Sequence, residues 1–340
     1  MIQIRRLLCC LVVCIQPAFA QVATPTEIRV AHALSDDSHL GRAIAAAGER
    51  IKRESGGRLV VKTLGNSVAG NDTKAMQDAM AGKLEIFISA TTTIVPLYKP
   101  LAIWDTPFLF ATREEAHAVL DSKVGQSLLE GVSGEGLVGL AYWELGFRNL
   151  TNNLRPVTRV EDFAGIRLRT MPSEVSINTF RRLGVDAKPL PFPELRAALL
   201  NNQFDGQENP YPTIVSAHLY EVQKYLTVTN HLYSPYGVMA SKKWWDTLSA
   251  PDRKLVRDAF WEARVFQREE ARKATDAALT VIKSAGVKVS ELEPGERWRI
   301  SKRLEYVVAQ IAGNVGLTLW IEVTNVLNDV RAEKRASLKQ

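Results

Sequence analysis

Polar and apolar residues alternate along Glu27-Ile-Arg-Val-Ala31, the period of a half-buried strand. A helical period follows over His39 to Glu54 and stops at Gly56-Gly57. Arg58 to Leu64 reads as the next strand, and Asp72 to Ala81 as a helix with Asn71 as its N-cap and Gly82 as its stop. Leu84 to Ser89 is a short apolar strand. This alternation of strand and helix predicts an α/β layout with a largely parallel sheet. A second α/β unit begins near Ala141. Its strand Ile166 to Thr170 ends at Met171-Pro172, and its helix Ser173 to Leu183 closes at Gly184. Pro191-Phe-Pro193 opens another helix, with Pro193 in its first turn. Phe204 to Gln207 is a further short strand, and Val238 to Lys242 a strand that returns to the first unit. Ala250 to Ala285 reads as one long helix, with Pro251 near its start and Gly286 just past its end. Its apolar positions keep no strict heptad, so we expect it to back both units rather than form a coiled-coil arm. The C-terminal third is helical and amphipathic.

The first twenty residues stand outside this pattern. Arg5 and Arg6 precede an apolar run from Leu7 to Ile15, and Ala18-Phe-Ala20 supplies small residues for cleavage before Gln21. That is the form of a secretory signal peptide. Cys9, Cys10 and Cys14 all lie inside it. The mature chain would therefore carry no disulfide and depend on its core, and at about 320 residues it is long enough to form two domains. No later apolar run approaches membrane-spanning length. Removing Arg5 and Arg6 lowers the formal charge from +6 to +4. Charges of both signs are interspersed, which suits a solvated surface and gives no reason to expect nucleic acid.

Chemistry concentrates in one third of the chain. Arg148, Arg169 and Asn209 make up two guanidinium groups and an amide, a donor set suited to a carboxylate. In an extended strand Arg167 and Arg169 share a face, and Pro172 stops the strand just beyond Arg169. Arg169 thus falls at the carboxyl end of its strand, where open α/β sheets bind ligands. Two roles are open for Arg148, ligand contact or an inter-lobe ion pair. Two are open for Asn209, ligand contact or a turn residue bonded to its own backbone. The five histidines show no metal-ligand spacing, and no nucleophile elbow or glycine-rich phosphate cradle occurs. We therefore expect no metal, no cofactor and no catalysis. We read Glu144 and Glu208 as orienting the arginines.

Several stretches carry a family resemblance: Leu120-Asp-Ser-Lys-Val-Gly125, Ala141-Tyr-Trp-Glu-Leu-Gly-Phe-Arg-Asn-Leu-Thr151, Gly165-Ile-Arg-Leu-Arg169, Pro189-Leu-Pro-Phe-Pro-Glu-Leu195, Asp205-Gly-Gln-Glu-Asn-Pro210 and Tyr220-Glu-Val-Gln-Lys-Tyr-Leu226. In this order and spacing the chain, from about Ile28 to Leu292, resembles the periplasmic substrate-binding subunits of TRAP (tripartite ATP-independent periplasmic) transporters, C4-dicarboxylate-binding type. The resemblance implies an α/β, two-lobed periplasmic binding protein fold with a cleft between the lobes and a long helix spanning both. On that reading lobe I comprises 21–145 plus about 235–270, and lobe II 146–234 plus about 271–340. Arg169 would form a salt bridge with the ligand carboxylate, with Arg148 and Asn209 as further contacts and Phe192 packing beside the ligand. We add Trp143 as a second wall, Tyr211 and Tyr236 as phenolic partners for the ligand's distal end, and His32, at the end of the first strand, as a contact or a cap.

Leu145 stands where many relatives carry Asn, which suggests a less polar pocket. The expected ligand is an organic monocarboxylate, with a 2-hydroxy, 2-oxo or aromatic acid favoured. The expected partners are the two integral subunits of a membrane permease, and the receptor is expected to be a periplasmic monomer. Two other readings stay open: a periplasmic lyase or hydrolase using Glu144, Glu208 or a histidine, and a sensory protein that presents its ligand to a receptor.

Overall fold

The computed structural model describes residues 24–337, so the export segment read over 1–20 lies outside the described residues. The chain runs β1 (Thr26–His32), α1 (His39–Glu54), β2 (Leu59–Leu64), α2 (Asp72–Ala81) and β3 (Ile86–Ala90). It continues through α3 (Arg113–Asp121), α4 (Lys123–Gly131), β4 (Leu137–Asn152), β5 (Arg167–Thr170), α5 (Glu174–Arg182) and β6 (Asp186–Pro189). Then come α6 (Leu195–Leu200), β7 (Gly206–Asn209), α7 (Tyr211–Ser216), β8 (Tyr225–Ser241) and α8 (Lys242–Trp245). The last elements are α9 (Ala250–Ser284), β9 (Lys288–Glu291), α10 (Glu296–Val315) and α11 (Leu317–Ser337).

Among the described residues one sheet carries all nine strands, in the order β2-β1-β3-β8-β4-β7-β5-β6, with β9 beside the start of β8. β1, β2 and β3 are mutually parallel, as are β5, β6 and β7. Between these two parallel groups β4 and β8 run antiparallel over almost their whole length and tie the lobes together. The sequence pattern showed only the Val238 end of β8 and no strand over β4. Nearly every residue of β4 is buried on whichever face it lies, so there is no alternation to read.

Helix α2 is capped as expected: the Asn71 side chain accepts from the Lys74 N–H at 3.0 Å, and Gly82 takes a left-handed φ of 79°. Helix α9 is unbroken over 35 residues, about 52 Å at 1.5 Å per residue. Its first half packs Val256, Ala259 and Phe260 into the lobe I core with α1 and β1. Near its end Ile282 enters the lobe II cluster with Leu195, Phe204 and Ile214. Helix α10 adds Ile300, Leu304, Val307 and Ile311 to the other lobe II core. The sequence reading grouped all of 271–340 with lobe II, but α11 departs from that. Val323 and Leu327 bury with Leu120 and Leu128 of lobe I, and Arg331 pairs with Glu115 at 2.9 Å. The reversal comes at Gly316, whose φ of 91° lets the chain bend back.

Candidate functional site

A cavity of about 300 Å³ lies between the lobes. Lobe I supplies Leu34 after β1, the first turns of α2 and the threonine turn after β3. Lobe II supplies Arg169, Met171, Phe192, Asn209 and Thr213. The crossing strands add Leu145, Arg148 and Tyr236. The cavity therefore sits at the carboxyl ends of β1, β3 and β5, where parallel strands present their following loops to a ligand.

Arg169 is on β5, between the parallel partners β6 and β7. It is 2% exposed, and its Nε donates to the Leu190 carbonyl at 2.8 Å. Among the described residues no hydrogen bond leaves its two terminal nitrogens. Burial lowers the guanidinium to about 10, against the opposing influence of Glu208. Arg167, on the same face two residues earlier, is committed elsewhere through Asp205.

Arg148 differs sharply. β7 packs tightly against β4: a Cβ on Gly206 would come within 2.2 Å of the Thr151 carbonyl. The register places Glu208 opposite Leu150 and Asn209 opposite Asn149, so the Glu208 carboxylate reaches Arg148 diagonally. Arg148 Nε donates to Glu208 Oε2, and Nη2 donates to Glu208 Oε1 at 2.9 Å and to the Glu208 carbonyl at 2.7 Å. The same Nη2 donates to Asn209 Oδ1 at 3.1 Å, while Asn209 Nδ2 donates to Gln207 Oε1 at 2.6 Å. Burial alone would raise the Glu208 carboxyl. The charge of Arg148 and the hydrogen bonds from His231 and Arg148 outweigh it and hold the group at about 2. Arg148 thus faces the cavity already neutralised, and Arg169 does not.

Of the other residues singled out from sequence, Phe192 and Tyr236 line the cavity, as does Leu145. Three do not. Trp143 is fully buried, donates from Nε1 to the Phe260 carbonyl at 3.1 Å and lies with its ring 5.9 Å from that of Phe260, so α9 claims it for the core. Pro210 is the N-cap of α7, which carries Tyr211 toward the lobe II cluster and turns Thr213 to the cavity instead. His32 has its ring buried against Asp36, at 3.1 Å, and leaves the wall to Ala33 and Leu34. Glu144 also departs from its expected role. It pairs with His117 at 2.6 Å and lies 4.0 Å from Arg113, away from both cavity arginines.

The sequence reading missed Asp72, Gln77, Thr92 and Thr93, which form a polar wall on the lobe I side. A usable signal was present: α2 begins, and the threonine run lies, just past strand ends. Behind Thr92 sits Asp105, 2% exposed, with one carboxylate oxygen bonded to the Thr92 hydroxyl and the other unpartnered. Burial raises it to about 7 despite that bond and the Arg148 charge. Among the described residues no group of three His, Cys, Asp or Glu side chains is placed to hold a metal ion.

Two lobes around a cleft, with an uncommitted guanidinium in it, define a solute-binding receptor for an anion. The chain belongs to bacterial extracellular solute-binding protein family 7, the DctP family, whose model matches residues 30–314. It is 33% identical over 270 residues to a solute-binding protein of Verminephrobacter eiseniae, covering 79% of this chain and 81% of that one. It is 32% identical over 255 residues to the 2,3-diketo-L-gulonate-binding periplasmic protein of Escherichia coli, covering 75% and 77%. The crystal structure of the sugar acid binding protein of Advenella mimigardefordensis in complex with galactonate superposes with a TM-score of 0.87 at 37% identity, covering 90% of this chain and 98% of that chain. The resemblance read from the sequence is thereby established. The protein is a TRAP-type solute-binding receptor, and the family role is to bind a small organic acid and deliver it to a membrane permease.

Proposed function

We propose that the receptor, exported to the periplasm, captures a hydroxylated monocarboxylate in its cleft and hands it unchanged to the permease. The observation that carries this is the contrast between the two arginines. Arg148 is satisfied by Glu208, whereas the terminal nitrogens of Arg169, which lines the cavity, have no partner among the described residues. A carboxylate on Arg169 completes its donor fork, with Arg148 and Asn209 positioned beside it and Phe192 and Leu145 covering the carbon chain. The opposite wall, with Asn71, Gln77, Thr92 and Thr93, suits hydroxyl groups better than an aromatic body. The galactonate and diketogulonate relatives support that preference. Catalysis has little support, because Glu208 is locked to Arg148 and Glu144 to His117.

A thermal-shift screen of the mature protein against lactate, gluconate, succinate and benzoate tests the reading. A ligand at about 100 times its Kd stabilises by roughly 2.7 kcal/mol, so gluconate is expected to raise Tm by several degrees. If benzoate or succinate does so and gluconate does not, the proposed ligand class is wrong. Mass spectrometry of the recovered ligand is expected to show no conversion.

A further inference from the structure

We propose that Asp72 is a specificity-determining residue that excludes a second carboxylate from the cleft and accepts hydrogen bonds from the ligand's distal hydroxyls; this rests on the receptor reading above. Asp72 is the first residue of α2 and lines the cavity from lobe I, on the wall across from lobe II's Arg169. The two groups sense each other's charge, and Asp72 also acts on the Tyr236 hydroxyl. Among the described residues no hydrogen bond reaches the Asp72 carboxylate, and none of the cavity-lining residues is a lysine or a histidine. With Arg148 neutralised by Glu208, the uncommitted charges on the wall are one cation, Arg169, and one anion, Asp72.

Helix geometry sharpens the argument. The start of α2 lines the cavity, and although Asn71 already caps the Lys74 N–H, the positive end of the helix dipole there would by itself welcome an anion. The Asp72 carboxylate in the first turn cancels that field. An acid gripped by Arg169 and long enough to reach α2 therefore meets an acceptor. A terminal CH2OH can donate to it, and a terminal carboxylate meets like charge in a partly desolvated cleft. Burial raises Asp72 to about 6, so it remains ionised at pH 8.

The test is calorimetry on the mature protein at pH 8 with two matched pairs, gluconate against glucarate and erythronate against meso-tartrate. Within each pair only the terminal group changes, from CH2OH to carboxylate. The wild type is expected to bind the monoacid of at least one pair tenfold or more tighter than its diacid. Asp72→Asn is expected to shrink that ratio by about tenfold, mainly by tightening the diacid onto the uncompensated start of α2. Asp72→Ser, also a good residue at a helix start, provides a second reading should the first variant fold poorly. A wild-type ratio near one, or a ratio unchanged in the variants while the acids still bind, overturns the role of Asp72 and leaves the receptor reading intact. If no acid binds the wild type, the proposed ligand class fails and this inference falls with it.

Discussion

Replacing Arg169 by methionine separates a binding arginine from a structural one. Burial lowers the Arg169 guanidinium from its ordinary 12.5 to about 10. At about 1.4 kcal/mol per pKa unit, holding that charge costs the folded protein roughly 3 kcal/mol. The sign follows from the direction of the shift. A base with a depressed folded pKa is penalised at every pH below that value, and the penalty fades only as pH rises through about 10. Methionine fills similar volume without the charge, and forfeits the Nε bond to Leu190, a charge-assisted bond worth about 1.5–3 kcal/mol. The ligand-free variant is therefore expected to hold its stability or gain up to about 1.5 kcal/mol, a rise in Tm of at most about 3 °C for a chain this long. Binding should move the other way. Removing one partner of a buried charge pair costs about 2–5 kcal/mol, so affinity for gluconate should fall by about 30-fold to several thousand-fold. Calorimetric melts without ligand and titrations with gluconate read the two effects separately. A variant that melts well below the wild type would make Arg169 a structural residue. Unchanged affinity would remove it from the site.

The Arg148–Glu208 pair is expected to behave in the opposite way. Glu208→Gln leaves the Arg148 charge buried without its counter-ion and should cost about 3–5 kcal/mol in urea unfolding whether or not ligand is present. Because Glu208 sits at about 2, the stability it adds is complete above its ordinary 4.5 and is lost as pH falls toward 2. Asp105 has the reverse sign. Its folded value of about 7 exceeds its ordinary 3.8, so its contribution is full below pH 4 and declines as pH rises to about 7. Asp105→Asn should flatten that decline, and melting curves at pH 4, 5.5 and 7 would show whether it does.

Much of the site was legible because it depends on local chain geometry. Arg169 follows from one strand, its two-residue period and the proline that stops it. The N-cap of α2 and the span of α9 follow from capping residues and helical period. Other residues were misplaced because their neighbours in space lie far away in the chain. Trp143 looks like a cleft aromatic until Phe260, 117 residues on, offers a carbonyl to its indole N–H. Glu144 looks like a partner for Arg148 until His117 takes it. α11 follows α10 in the chain, yet it crosses to lobe I because its apolar stripe meets α3 and α4.

The sequence by itself determined the class of protein and the presence of an arginine at a strand's carboxyl end, since both rest on short-range pattern and motif order. The tertiary structure decided which charge remains free in the cleft. β4–β7 pairing puts Glu208 against Arg148 and leaves Arg169 uncommitted, and the lobes bring α2 with Asp72 to the opposite wall. The electrostatic character of a buried site is set by which opposite charges come within reach of each other, and that depends on strand register and lobe packing.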